Sequence, residues 1–161
     1  MATTKATVRA EVFESLNSEN QSGSIRHLIE HLIDTSSYDE VFSDRRTLSA
    51  SASEVLDLAG SLEKVFGGDN LACAKLHLVL VVNRNSTAGD DLELGPDSTA
   101  GVSGLFSDTS DRITIPAGGA FLWHDPNGIT VTGGSADELY VAETGGANSV
   151  SYDILILGAS S

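Results

Sequence analysis

Residues 76–83, LHLVLVVN, are the stretch on which the fold turns. Six of the eight are Leu or Val, with no polar alternation, which is the texture of a strand covered on both faces. Such a strand is expected inside a sheet. Working outward, shorter apolar segments near residues 39–42, 54–58, 91–94, 112–115, 120–124, 129–132, 138–142 and 151–157 also read as strands. Between them lie GGDN, NSTAGDD, GPDSTAG, PAGG, DPNG, GGSADE and TGGAN, rich in residues that tolerate positive φ or carry proline's preset φ. Many short strands at roughly ten-residue spacing, with no helical pattern after residue 66, predict an all-β protein, a β-sandwich of jelly-roll type. The PAGG motif is expected to form a tight hairpin-type turn. Alternation of Tyr140, Val141, Tyr152, Ile154 and Ile156 predicts one buried face on each of the last two strands.

The first 37 residues have a different texture and are expected to form an N-terminal extension or arm, with residues 38–161 as the sandwich domain. Residues 3–13 alternate small or polar side chains with Val8, Ala10 and Val12, the period of a half-buried strand. SLNSENQSGS, residues 15–24, reads as a polar loop. In SIRHLIEHLID, residues 24–34, the apolar Ile25, Leu28, Ile29, Leu32 and Ile33 recur at i, i+3, i+4, i+7 and i+8 behind a Ser24 cap, which predicts a short amphipathic helix. Nothing local buries that stripe except the sandwich or a neighbouring subunit. Together with Arg9 and Glu11, on a strand suited to covering a neighbour's edge, these five residues are the candidate assembly contacts.

The chain of 161 residues carries a formal charge of −14, unevenly spread. Residues 1–87 hold 12 acidic and 8 basic residues, whereas residues 88–161 hold 11 acidic residues and one arginine, Arg112. An anionic surface repels phosphates, so neither nucleic acid nor an anionic membrane is an expected partner. No apolar run approaches the roughly 20 residues needed to span a bilayer, and no apolar segment follows the basic residues near the N-terminus, so neither a membrane span nor a secretory signal is expected. The single Cys73 can form no internal disulfide and reads as a small buried hydrophobe.

The candidate chemistry is sparse. His27-Leu28-Ile29-Glu30-His31 matches the H-x-x-E-H zinc signature, but the enzymes that use it are far larger and supply a third ligand from helices this chain lacks. The two histidines read as the wet side of the predicted helix. No G-x-S-x-G elbow, Walker loop or G-x-G-x-x-G follows a strand. Asp90, Asp91, Asp97, Asp108 and Asp111 fall in turns and read as wet loop residues, with a calcium site near Asp90, Asp91 and Asp97 the chemically allowed alternative. Trp123 beside the Pro-Asn-Gly turn reads as a plug of the core, with sugar stacking as the alternative. No enzyme activity, cofactor or metal is expected.

Two blocks carry a family resemblance. TLSASASEVLDLAGSLEKVFGGDNLACAKLHLVLVVNRN, residues 47–85, and ITIPAGGAFLWHDPNGITVTGGSADELYVAETGGANSVSYDILILG, residues 113–158, resemble small β-sandwich structural proteins encoded in the virion gene clusters of tailed bacteriophages. The shared features are strands and turns: the LDLAGSL segment, the PAGG turn, the ADELYVAETGG strand and turn, and the closing YDILILG strand. The resemblance implies a non-enzymatic virion protein, first a capsid decoration or cement protein on the head shell, second a tail or head-fibre component. It implies the major capsid protein or other virion proteins as partners, a homo-oligomer, most simply a trimer at sites of three-fold symmetry, and residence in the virion after synthesis in the host cytoplasm. A glycan-binding module using Trp123 is the alternative of another class.

Overall fold

A computed structural model of the chain describes residues 6–18, 21–33, 38–64, 68–146 and 148–161. The chain divides into two compact units, Met1–Ser37 and Tyr38–Ser161. Apart from a 3-10 turn at Ser103–Leu105, the regular structure of the described residues is all strand.

The first unit is a β-hairpin. β1 (Ala6–Ser18) pairs antiparallel with β2 (Gln21–Ile33) over thirteen consecutive residue pairs, from Ala6 opposite Ile33 to Ser18 opposite Gln21. The polar 15–24 segment expected to be a loop is therefore mostly strand; residues 19 and 20 lie outside the described residues, as do 3–5 of the expected first strand.

The expected helix over 25–33 is likewise corrected to strand. An apolar spacing of four fits both a helical turn and two strand repeats, and in the strand the stripe splits. Ile29 and Ile33 are set in register with Ala10 and Ala6, while Leu28 and Leu32 are set in register with Glu11 and Thr7 and take the opposite face. Eleven residues make a marginal helix in water, isoleucine favours a pleated surface, and β1 supplies a hydrogen-bonding partner along the whole segment.

The second unit is a sandwich of two four-stranded sheets. Its strands are β3 (Glu40–Leu48), β4 (Ser53–Asp57), β5 (Lys75–Asn83), β6 (Leu92–Pro96), β7 (Ile113–Ile115), β8 (Ala120–Thr130), β9 (Glu138–Glu143) and β10 (Val150–Ala159). One sheet has the order β3-β10-β5-β8 and the other β4-β9-β6-β7, all neighbours antiparallel. The chain crosses between the sheets at every connection but β6–β7, which stay paired in one sheet, and the last strand returns beside the first, which is the jelly-roll arrangement the sequence predicts.

The 76–83 run forms most of β5, an interior strand between β10 and β8. Its Leu76, Val79 and Val81 meet Tyr152, Ile154 and Ile156 of β10 and Leu56, Leu92, Leu94, Leu139 and Val141 of the facing sheet in one core. Each of these side chains is at most 1% exposed. The expected inward alternation on the last two strands holds for Val141, Tyr152, Ile154 and Ile156, whereas Tyr140 faces outward under the Arg112 guanidinium, 4.7 Å from its ring centroid.

Two turn assignments need correction. PAGG does turn tightly, with Gly118 at φ 74° and the Gly119 N–H donating to the Pro116 carbonyl at 2.8 Å, but it carries the chain from β7 in one sheet to β8 in the other and closes no hairpin. DPNG does not separate two strands. It is an interruption inside β8, where Leu76 opposes Ile129 and Leu78 already opposes His124. Gly128 at φ 67° lies so close over His77 that a Cβ would stand 2.6 Å from the imidazole, and the Asp125 carbonyl lies 3.0 Å from His77 Nδ1. The extra residues thus form a bulge seated on a buried ring.

Candidate assembly surface

The sandwich spends its polar groups on holding its own loops. Asn83 Nδ2 donates to the carbonyls of Asp90 and Ile115 at 2.8 and 3.1 Å. Asn85 Nδ2 and Asn148 Nδ2 donate to the Asp90 carboxylate at 3.0 and 2.9 Å. Asp90 is therefore a buried acceptor that ties the loop after β5 to the loop between β9 and β10, not a wet loop residue. Asp91 accepts from the Ala117 N–H, Asp97 from Thr99, and Asp111 from Ser107 and Asp108. Asp97 and Asp111 are thus occupied by backbone of their own turns and Asp91 by backbone of the turn after β7, and among the described residues no three metal-ligating side chains converge.

The other candidates are also structural in their surroundings. Cys73 is buried against Gly158, and burial pushes its thiol up to about 12, far from a reactive thiolate. Trp123 is partly buried, stands opposite Val79 and packs on the core, so its ring is not presented as an open stacking platform. Two charge networks stitch the sandwich. Asp153 on β10 bridges Arg45 on β3 and Arg84 after β5, and the Arg45 hydrogen bond is the main force holding its carboxyl down at about 2. Glu54 joins Arg46 to the hydroxyl of buried Tyr152, which donates to it at 2.7 Å. Sequence reading missed this pair, since a glutamate and a tyrosine 98 residues apart give no local signal.

The arm is built differently. Six large hydrophobic side chains are markedly exposed among the described residues, and four of them, Val12, Leu28, Ile29 and Leu32, belong to this hairpin. Ile29 is 73% exposed and Leu32 65%. Ile33, at the end of β2, is buried. Ile25 is paired by backbone with Glu14, and its side chain lies outside what the structure describes. On the face that holds Leu28 and Leu32, Arg9 donates to Glu11 at 2.6 Å and Arg26, a diagonal neighbour across the hairpin, engages the same carboxylate. Arg9 and Glu11 therefore sit in one ion-pair cluster, with Glu30 in register opposite Arg9. The predicted contact residues thus lie on one hairpin but on both of its faces. His27 and His31 take strand positions about 13 Å apart, double the spacing of one helical turn, so the zinc signature loses its geometry.

The strand edges make the same contrast. In the sandwich, edge strand β7 has three residues and β4 five, β8 is bulged and contains Pro126, and β3 carries Asp44, Arg45 and Arg46. Short, bulged, proline-bearing and charged edges resist pairing with another chain. β1 and β2 are each 13 residues long, paired without a register shift and free of proline, and each has one edge open in the two-stranded sheet.

No family profile and no curated protein sequence matches the chain. Among solved structures, it is similar to a chain described under "Bacillus endospore appendages form a novel family of disulfide-linked pili", at 10% identity and a TM-score of 0.38, covering 76% of this chain and 90% of that one. Superposition at that level carries no argument about function.

Proposed function

We propose that this chain is a non-enzymatic structural protein of a tailed-phage particle, a decoration or cement protein that docks on the head shell through its N-terminal hairpin. The observation that carries the docking role is the hairpin itself, a 13-residue strand pair with Val12, Leu28, Ile29 and Leu32 exposed. A lone two-stranded ribbon is marginal in water, and one this long gains its stability by being covered. The phage setting rests on the likeness of residues 47–85 and 113–158 to virion proteins. The major capsid protein is the expected partner, and three-fold sites on an icosahedral shell favour a homotrimer. The acidic half of the sandwich then faces solvent and keeps particles apart.

The experiment is binding of the purified full chain to expanded shells, with Ile29→Asp and Leu32→Asp as variants. Saturable binding by the natural chain, reduced at least tenfold in both variants while the far-ultraviolet spectrum is unchanged, supports the reading. Location of the protein only on tails or fibres would contradict the decoration role. Equal binding by the variants would contradict the role of the arm.

A further inference from the structure

The outer edge of β1 is self-complementary, and we propose that it pairs antiparallel with the same edge of a second copy about a two-fold axis at Ala10. A two-fold strand pair joins copies two by two, so this contact is a different one from the three-fold arrangement of the proposed function, and it shares with that reading only the premise that the arm makes contacts between chains.

An antiparallel pair of identical strands has its two-fold perpendicular to the sheet, so each face of one copy runs on into the same face of the other. Only centres that fall on a residue satisfy this, because directly opposed residues must point to the same side. Ala10 as centre sets Arg9 opposite the second copy's Glu11, twice by symmetry, and Val8 opposite Val12, also twice, with alanine against alanine between them. Opposite charges and β-branched pairs in direct opposition are the stabilising cross-strand combinations. Neighbouring centres fail. Arg9 as centre opposes two arginines, Glu11 opposes two glutamates, Val12 sets Ala10 against Glu14, and Val8 sets Arg9 against Thr7. Arg9, Ala10, Glu11 and Val12 are all exposed, with Val8 partly so, which leaves this stretch of the edge accessible.

The open edge of β2 is the competitor. Its best centre, Leu28, also opposes Arg26 and Glu30, but it sets Ile29 against His27. It lacks the valine pairing. The product of β1 pairing is a four-stranded sheet in the order β2-β1-β1-β2, with Val8, Ala10, Val12 and Ile29 of both copies on one continuous face.

Single cysteines in the full chain test the register, since native Cys73 is buried and its thiol is pushed up to about 12. Directly opposed residues lie about 4.5–5.5 Å apart at Cα, within disulfide reach, and diagonal ones about 7–8 Å, outside it. Under mild oxidation Ala10→Cys should give a covalent dimer. Arg9→Cys and Glu11→Cys should each give on the order of tenfold less alone, and should cross-link to one another when mixed. Crosslinking of Leu28→Cys in place of Ala10→Cys would overturn the proposal in favour of the β2 edge, and no dimer from any variant would overturn it outright. Shell binding measured on the same variants keeps the two readings apart. Ala10→Cys that binds shells without forming a dimer contradicts the pairing and leaves docking standing.

Discussion

The sandwich and the arm use the same kind of residue to opposite ends. In β10, Ile154 and Ile156 alternate with more exposed residues and are sealed between two sheets; in β2, Ile29 sits between Leu28 and Glu30 and stands in the open. Both obey the two-residue period of a strand. What separates them is the second layer, which β10 has within its own unit and which a two-stranded ribbon lacks. The sandwich also has short, bulged or proline-bearing edge strands, whereas the arm's two strands are long, free of proline and paired without a register shift. The proposed division of labour, stability in residues 38–161 and contacts between chains in the hairpin, rests on this contrast.

The sharpest way to break that division is to cut the same side chain in both regions. Ile156→Ala, in the fully buried core, is expected to cost about 2–5 kcal/mol in denaturant unfolding. Ile29→Ala, at 73% exposure, is expected to stay within about 0.5 kcal/mol of the natural chain while weakening assembly. Equal losses at the two sites would erase the distinction.

A smaller effect is expected inside the sandwich at Tyr152→Phe. It removes the hydroxyl that donates to Glu54 at 2.7 Å and leaves Arg46 as that carboxylate's partner, a loss of about 1.5–3 kcal/mol. Burial and Glu54 together hold the Tyr152 hydroxyl protonated well above its ordinary range, so this loss should not vary between pH 6 and 9.

The smallest effects are electrostatic and have opposite signs. Asp153 is held down at about 2 by its Arg45 and Arg84 hydrogen bonds, so its contribution is present above the ordinary aspartate range and fades as pH falls from about 4 through about 2. Asp153→Asn should flatten that part of the acid-unfolding curve. Glu138 is pushed up by burial and then by Asp97, Asp137 and Asp57, so its protonated form is the one the fold favours. That contribution is complete below the ordinary glutamate range and is lost as pH rises through the folded value. Glu138→Gln should therefore raise the melting temperature at pH 7 and leave it unchanged at pH 4.

The core strands were legible because their signal is local. Residues 76–83 are apolar on both faces, and glycine, asparagine and aspartate mark the turns on either side. Where the chain resumes after a turn is not local. Nothing within DPNG says that β8 continues on the same partner, and nothing within PAGG says that the next strand belongs to the other sheet. Residues 25–33 misled because a spacing of four satisfies two periods at once, and only the register with β1 decides between them. The loop carboxylates misled differently. Asp90 reads as a wet acid until Asn85 and Asn148, from 5 and 58 residues away, are found donating to it.

The most direct test of the division of labour is removal of residues 1–37. The account predicts that residues 38–161 retain a β-type circular dichroism spectrum and a cooperative unfolding transition close to that of the whole chain, while shell binding and cross-linking between copies are abolished. A truncated chain that is unfolded would place the arm within the stability of the fold and contradict the account, as would a folded one that still assembles and binds as before.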